Sequence, residues 1–317
     1  MSLYLVTGGA GFIGSNLVRG LLERGHRVRV LDNFSTGDRR NLEEVLDRIE
    51  LIEGDLRYYH TVREAMEEVE FVLHQGALPS VPRSVRDPLA SNDVNVTGTL
   101  NVLHAARDAG ARRVVFASSS SVYGDSEKLP KQEDMPPNPL SPYAVSKLAA
   151  ENYCRVFADI YRLHTVSLRY FNVFGPRQNP DSQYSAVIPK FIKAMLLDRQ
   201  PTIYGDGEQS RDFTYVQNVV EVNIRATEVD CPPGVVMNCA VHQRTNLNEL
   251  VAMINRILGK NIEPIYTDPR PGDIKHSYAD IDRMKQVLDY EPSVLFEEGL
   301  QRTVQWYQRQ LEVEMES

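Results

Sequence analysis

The residues in this sequence best suited to proton transfer are a run of hydroxyls and a tyrosine–lysine pair. Four serines in "FASSSSVYG" (116–124) follow an apolar stretch typical of a buried strand. Downstream, Tyr143 and Lys147 lie four residues apart, directly after Ser141 and Pro142, which form a helix-start signal. Residues at i and i+4 share one helix face, and a neighbouring ammonium favours the phenolate form of tyrosine. We therefore expect Tyr143, with a lowered pKa, to be a base near neutral pH, with a serine hydroxyl beside it.

A second group of residues has the spacing of a dinucleotide-binding turn. "VTGGAGFIG" places Gly8, Gly11 and Gly14 between an apolar strand and a helix with an apolar face. Glycines at such a turn let the backbone approach a pyrophosphate at the helix N-terminus. Asp32 follows 18 residues after Gly14, where a carboxylate binds the adenosine ribose and repels the 2′-phosphate of NADP. The pattern favours NAD, and two arginines at 39–40 leave NADP as an open alternative.

These residues need elements that bring the ends of several strands together. Apolar runs at 3–8, 27–32, 49–56, 70–77, 112–120 and 165–173 alternate with helical stretches at 11–24, 61–68, 88–109 and 142–161. Repeated βα units build a parallel sheet with helices on both faces. We predict an α/β fold, a Rossmann-type doubly wound parallel sheet. At the end of its third strand, Asp55 and Leu56 are expected to flank adenine, with a helix cap as the alternative role of Asp55.

The later sequence indicates a smaller, interleaved C-terminal substrate domain, because after residue 170 the βα alternation loosens and prolines and glycines become frequent. We predict an NAD-binding domain over 1–170, to which a segment near 212–240 returns. The remainder, mainly 171–317, is predicted to bind substrate.

Composition excludes several classes of protein. The 317 residues are 42% hydrophobic and 25% charged, and the net charge of -8 offers no broad basic surface, so nucleic acid is not expected as a partner. The three cysteines lack the spacing of a disulfide framework or zinc site, and no metal is expected. No apolar run reaches the ~18 residues of a membrane span and no signal peptide is evident, so we expect a cytoplasmic protein without membrane contact.

Taken together, the motifs resemble those of the extended short-chain dehydrogenase/reductases of the nucleotide-sugar epimerase and dehydratase group. The resemblance covers nearly the whole chain and includes "TGGAGFIG", "SSSSVYG", "SPYAVSK", "LRYFNVFGPRQ", "GDGEQSRDF" and "RPGD". It implies that Ser119 is the catalytic hydroxyl, Tyr143 the base and Lys147 the ligand of the nicotinamide ribose. It also implies further cofactor contacts from Phe12, Ile13, Asn33, Gln75, Asn95 and Tyr170.

The residues after Ser119 bear on the type of reaction. Dehydratases and decarboxylases that this chain resembles carry an acid in these two positions, whereas Ser120 and Ser121 stand here. Epimerisation needs one base and a reversible hydride acceptor. We therefore expect inversion at C4 of a UDP-hexose through a 4-keto sugar, with Ser120 beside the substrate. Ser118 is expected to be structural.

The same resemblance implies the substrate contacts. Arg211 and Arg270 match diphosphate-binding arginines, whose guanidinium forks suit phosphate oxygens. Tyr204 is expected to stack on the uracil base of the nucleotide, and Asp273 to bind its ribose. Asn172 is expected to contact the sugar-diphosphate.

Four further positions near the sugar bear on its identity. Ser277 stands where epimerases restricted to unacetylated sugars have a bulky tyrosine, so the pocket is expected to have room for UDP-N-acetylglucosamine. Gln178, Ala186 and the adjacent Val187 resemble epimerases that prefer N-acetylhexosamines. Pro79 departs from that subgroup, which has glycine there, so tolerance of the acetylated sugar is better supported than preference for it.

Three alternatives stay open at the level of sequence. They are a UDP-glucuronate 4-epimerase, a UDP-sugar decarboxylase or dehydratase, and a non-catalytic NAD-binding protein. The helices at 88–109 and 142–161 have apolar faces beyond what one sheet must cover, and family resemblance implies that they form a homodimer interface.

Overall fold

The computed structural model describes residues 1–181, 186–269 and 275–316. Its centre is a seven-stranded sheet in which every neighbouring pair is parallel. In spatial order the strands are β11 (Val235–Cys239), β6 (Thr165–Tyr170), β5 (Arg113–Ser119), β4 (Phe71–His74), β1 (Leu3–Thr7), β2 (Arg27–Asp32) and β3 (Glu50–Glu53). The predicted doubly wound α/β fold is confirmed.

Strand order reverses beside β1. The chain runs from β1 outward through β2 and β3, then returns to β4 on the other side of β1. Ligands of open α/β sheets bind at the carboxyl ends of the strands next to such a switch point. The glycine turn after β1 and the segment after β4 both lie at this point.

Helices cover both faces of the sheet, and each face has its own apolar core. One face packs against α1 (Phe12–Glu23), α8 (Val216–Glu228) and α10 (Asp282–Leu288). The other packs against α2 (Tyr59–Ala65), α5 (Gly98–Asp108) and α6 (Pro142–Tyr161). The predicted start of α6 is confirmed, since the Ser141 hydroxyl caps the helix by accepting a hydrogen bond from the Ala144 N–H.

Two predicted elements are wrong in detail. The helix predicted over 88–109 is divided into α4 (Pro88–Asn92), a π-helical segment (Asp93–Thr97) and α5. Such wide turns occur frequently at functional sites, and this one contains Asn95. The strand predicted over 165–173 stops at Tyr170, because Asn172 has a left-handed backbone (φ 31°) that a strand does not permit. The chain resumes as β7 (Val173–Phe174) outside the main sheet.

The later part of the chain has a third apolar core and three small two-stranded sheets. Its helices are α7 (Val187–Leu196), α9 (Leu247–Leu258) and α11 (Phe296–Glu316), and the short α3 (Val81–Arg86) precedes α4. The small sheets pair β10 (Thr214–Tyr215) with β7, β12 (Thr245–Asn246) with β9 (Ser210–Arg211), and β13 (Ile265–Thr267) with β8 (Thr202–Tyr204). The late strand β11 belongs to the main sheet, while the domain boundaries given above stay a prediction.

Within residues 1–181, 186–269 and 275–316, no helix combines the length and the apolar character that a bilayer crossing requires.

Candidate active site

The glycine turn is shaped for close approach. Gly8 has a positive φ of 67°, and a Cβ there would lie 2.7 Å from the Gly76 Cα. A Cβ on Gly14 would lie 2.1 Å from the Gly8 carbonyl oxygen, so a side chain would force the turn open. Gly11 is the N-cap residue of α1 and offers no side chain to the first N–H groups, which therefore suit an anionic group. Phe12 and Ile13 begin the helix.

Asp32 ends β2 beside this turn. Its carboxylate is buried and accepts hydrogen bonds from the Ala10 N–H (2.9 Å) and the Phe34 N–H (2.8 Å). Burial raises the pKa of Asp32, and the two amides lower it by less. The two arginines that kept NADP open are engaged by carboxylates, since Arg39 pairs with Glu53 and Arg40 with Asp38.

The predicted adenine-side residues form one cluster. Asn33 donates to Asp55 at 2.9 Å, and the guanidinium of Arg57 holds the pKa of Asp55 down to about 2. The helix-cap alternative for Asp55 is wrong, because the N-cap residue of α2 is Tyr58. Leu56 is buried nearby.

The three proposed catalytic residues come together at the carboxyl end of β5. Ser119 ends this strand, and its hydroxyl accepts from the Ser121 N–H (3.2 Å) and the Ser121 hydroxyl (2.9 Å). The proton of Ser119 is thereby left for Tyr143, its hydrogen-bond partner. Lys147 is buried, and its Nζ donates to the Ala117 carbonyl at 2.8 Å. Ser120, half-buried, begins the short turn after Ser119.

The expected lowering of the Tyr143 pKa is not a property of the polypeptide alone. Burial raises the pKa of Tyr143, and the Ser119 hydroxyl offsets only part of that rise. The reason is that the ammonium of Lys147 is turned towards the Ala117 carbonyl and the Phe116 ring. Burial lowers the pKa of Lys147 to about 8, so this ammonium still carries its charge at pH 7.

Ser118 is buried and structural, as expected. It donates to Glu151 of α6 at 2.7 Å, and Glu151 forms a buried ion pair with Arg169 of β6 at 2.6 Å. The pair joins β5, β6 and α6 directly behind Ser119.

Three predicted cofactor contacts are engaged by polar partners. Gln75 donates to the Tyr170 hydroxyl at 3.1 Å, and both contact Asn223 of α8. Asn95, buried in the π-helical segment, accepts from the Leu78 N–H (2.8 Å) and donates to the Ser146 hydroxyl (3.0 Å). Their contacts with NAD stay predictions.

Two of the predicted substrate residues lie on the small sheets. Tyr204 ends β8 with 38% of its surface exposed. Arg211 lies in β9, and its guanidinium donates to the carbonyls of Ser210 (3.0 Å) and Lys275 (3.2 Å). The Ser277 N–H donates to the same Ser210 carbonyl, so the 275–277 segment runs beside β9.

Other substrate candidates are more scattered. Pro79 and Asn172 are exposed in loops, Ala186 is the N-cap residue of α7, and Val187 is its first residue. Gln178 lines a cavity of about 220 Å³ between α1 and α11, which none of the three catalytic candidates lines. Arg270 and Asp273 lie outside the described residues. All these substrate roles stay predictions.

Sequence reasoning missed three buried groups that hold the site. The Ser84 hydroxyl accepts from the Tyr143 N–H at 3.0 Å, and His74 lies between two threonines at the end of β4. Asp212 accepts from the backbone of Val241 and Ala279, and burial raises its pKa to about 6. Asp212 could have been found from its place in the motif "GDGEQSRDF". Ser84 could not, because its partner Tyr143 is 59 residues away and no local pattern connects the two.

In the described part of the chain, His, Cys, Asp and Glu side chains form no group of three or more that would suit a metal ion.

Comparison with known proteins agrees with this geometry. The NAD dependent epimerase/dehydratase family matches residues 4–240. The UDP-glucose 4-epimerase of Mycolicibacterium smegmatis is 39% identical, with 96% of this chain and 97% of that protein covered. The UDP-glucuronate 4-epimerase of Thermodesulfobacterium geofontis is 33% identical, with 99% and 98% covered.

Among solved structures, the UDP-N-acetylglucosamine 4-epimerase of Methanobrevibacter ruminantium M1 in complex with UDP-N-acetylmuramic acid is similar, with a TM-score of 0.93. It is 41% identical, and the match covers 98% of this chain and 99% of that one. These likenesses confirm the predicted family, NAD as the cofactor and the isomerase class.

Proposed function

The chain belongs to the NAD-dependent epimerase/dehydratase family, and from this premise we propose that it inverts C4 of a UDP-hexose. The proposed substrates are UDP-glucose and UDP-galactose, with room for their N-acetylated counterparts. The observation that carries the proposal is the end of β5, where Ser119 is the hydrogen-bond partner of Tyr143 and serines occupy 120 and 121. A carboxylic acid for net elimination is absent from those two positions.

The residues have distinct tasks in this reaction. Tyr143 takes the proton of the sugar 4-OH and later returns it. Ser121 orients the Ser119 hydroxyl, whose proton turns from Tyr143 to the sugar oxygen that carries the developing charge when substrate is bound. Lys147, whose ammonium is turned towards the Ala117 carbonyl in this structure, is assigned to hold the nicotinamide ribose. The glycine turn and Asp32 would hold NAD, which would supply a reversible acceptor for the hydride of C4.

Room for an acetylated sugar is supported by the segment around Ser277. The neighbouring Tyr278 contacts His242, with its hydroxyl 2.8 Å from the His242 Nε2 and the ring centroids 4.7 Å apart. The Tyr278 ring is thereby held against His242. Ser277 is left at the position where epimerases restricted to unacetylated sugars have a bulky tyrosine.

The test is side-by-side turnover of UDP-glucose, UDP-N-acetylglucosamine and UDP-glucuronate by the wild type and by Tyr143→Phe. We expect the first two sugars to be epimerised and the variant to lose about 10³-fold in turnover while retaining NAD. Conversion of UDP-glucuronate alone would favour the runner-up, a UDP-glucuronate 4-epimerase. If NAD is bound and none of the three is converted, the proposal is wrong.

We also propose a homodimer formed through the helices at 88–109 and 142–161. Apolar side chains are exposed on this side of the molecule, at Val85, Leu89, Val145 and Ile160. Sedimentation of the wild type and of Leu89→Glu combined with Ile160→Glu tests the interface, and a wild type that sediments as a monomer would contradict it.

A further inference from the structure

His74 is a buried polar residue at the end of β4 with a hydroxyl partner on each ring nitrogen. Its Nδ1 lies 2.6 Å from the Thr7 Oγ1, and its Nε2 lies 2.9 Å from the Thr99 Oγ1. Only 1% of its surface is exposed. The proposed reaction assigns this imidazole no task.

The neighbouring hydrogen bonds fix the direction of each link. The Thr99 hydroxyl donates its single proton to the Asn95 carbonyl at 2.6 Å, so it accepts from the His74 Nε2–H. The His74 Nδ1 is then the acceptor for the Thr7 hydroxyl, which itself accepts from the Gly76 N–H at 3.1 Å. The ring is therefore neutral, with its proton on Nε2.

The neutral state is also favoured electrostatically. Burial, together with the charge of Lys147, lowers the pKa of His74 to about 3. A second proton on the ring would place a donor on Nδ1 against the Thr7 hydroxyl. It would also place a second buried cation near the Lys147 ammonium.

The two ends of this chain of hydrogen bonds lie in the cofactor turn and in the catalytic helix. At one end, Gly76 lies directly against Gly8. At the other, the Asn95 side chain accepts from the Leu78 N–H and donates to the Ser146 hydroxyl, which donates to the Tyr143 carbonyl at 2.8 Å. Two series of hydrogen bonds that meet at Asn95, one at its backbone carbonyl and one at its side chain, thus connect Thr7, next to the turn, with the residue proposed as the base.

We propose that His74 is a positioning residue, whose neutral ring sets the placement of the catalytic helix α6 relative to the cofactor turn. The inference rests on the proposed function, because it assigns the ring an effect on turnover. A displacement of about 1 Å at the reacting groups costs on the order of 100-fold in rate. The link through Thr99 and Asn95 reaches α6, so the Nε2 side of the ring governs turnover, whereas the Nδ1 side only accepts from Thr7 at the end of β1.

Two variants separate the sides. In His74→Gln the amide nitrogen replaces Nε2 and keeps the donor to Thr99. In His74→Asn the amide oxygen replaces Nδ1 and keeps only the acceptor for Thr7. We expect His74→Gln to retain turnover within about threefold, and His74→Asn to lose on the order of 30-fold in kcat with KM within about twofold.

Amide hydrogen exchange provides a readout independent of turnover. The Leu78 N–H, held by Asn95, should exchange about tenfold faster in His74→Asn than in His74→Gln, and NAD content should stay the same in both. Thr99→Val breaks the same link one bond further on, so it should show the same loss of turnover and the same faster Leu78 exchange as His74→Asn. It also replaces His74→Asn in the test if that variant fails to fold. His164→Asn, at a half-buried histidine before β6, is the control and should change neither readout.

Equal turnover of the two His74 variants would overturn the inference, as would unchanged Leu78 exchange in Thr99→Val. Failure of the proposed function is recognised separately, because a wild type that converts none of the three sugars contradicts that proposal alone. The exchange of the Leu78 N–H still tests whether His74 acts through Thr99 and Asn95.

Discussion

The cofactor side and the substrate side of this molecule are built by different means. On the cofactor side, the glycine turn, Asp32, Ser119 and His74 all lie at the ends of strands in one sheet, and buried hydrogen bonds connect neighbouring strands. On the substrate side, Tyr204 and Arg211 lie on separate two-stranded sheets, and Tyr204 is partly exposed. The difference indicates that the residues predicted to do the chemistry are held by buried bonds within one sheet, whereas those predicted to recognise substrate lie on smaller, partly exposed pieces.

The strongest test of the cofactor side is Lys147→Met, which retains the bulk of the side chain and removes its charge. Because the variant loses the ammonium that is proposed to hold the nicotinamide ribose in place, we expect turnover to fall by about 10²- to 10³-fold. Steady-state kinetics measures the effect, with Lys193→Met as the control, since Lys193 pairs with Asp181 at the surface. Turnover within tenfold of the wild type would contradict the role of Lys147.

The frame itself is tested by Glu151→Ala. The substitution leaves the Arg169 guanidinium buried without its carboxylate, so we expect a loss of about 3–5 kcal/mol in the free energy of unfolding. Urea denaturation measures it. Glu44→Ala is the matched control at an exposed pair with Arg19 and should cost under about 1 kcal/mol. Equal losses in the two variants would remove the contrast between buried and exposed pairs.

The substrate side is tested by Tyr204→Ala. If the ring stacks on the base, about 1–3 kcal/mol of binding is lost, which raises KM by roughly 10- to 100-fold with kcat nearly unchanged. The melting temperature should stay close to that of the wild type, because the ring is partly exposed. Tyr58→Ala, at another exposed tyrosine, serves as the control. A stable variant with an unchanged KM would refute the stacking role.

The smallest effect concerns pH. The pKa of His74 is lowered from 6.5 to about 3 in the folded chain, so the unfolded chain binds the extra proton first as pH falls. The stability contributed by the neutral ring is therefore complete above about pH 6.5 and is lost progressively towards pH 3. Between pH 7 and pH 5 the wild type should lose about 2 kcal/mol more than His74→Gln, as measured by urea denaturation at both values. Parallel losses would show that the ring is not buried neutral.

The cofactor side was predictable from sequence because its signals are local. The glycines and Asp32 occupy fixed spacings within one βαβ unit, and the structure places them after β1 and at the end of β2. Tyr143 and Lys147 are four residues apart, and the structure places both in the first two turns of α6. The bonds of His74 to Thr7 and Thr99 cross strands and helices separated by 67 and 25 residues. No spacing rule encodes such pairs, so they were not found.

The errors have physical causes as well. A regular helical pattern over 88–109 does not reveal the wide turn at Asn95, because the apolar spacing on either side still fits a helix. The pKa of Tyr143 was expected to fall, since sequence shows that Lys147 is near but not that its ammonium points to the Ala117 carbonyl. Orientation of a long side chain is decided by tertiary packing.

The late position of β11 in the chain has a consequence for biosynthesis. This strand, at 235–239, completes the outer edge of the sheet beside β6, and the α8 helix that precedes it covers α1 at the opposite end of the sequence. About three-quarters of the 317 residues must therefore leave the ribosome before the frame can close. Pairings of such long range form slowly. Until then the apolar face of α1 lacks its cover, so the emerging chain exposes apolar surface of the kind that favours aggregation.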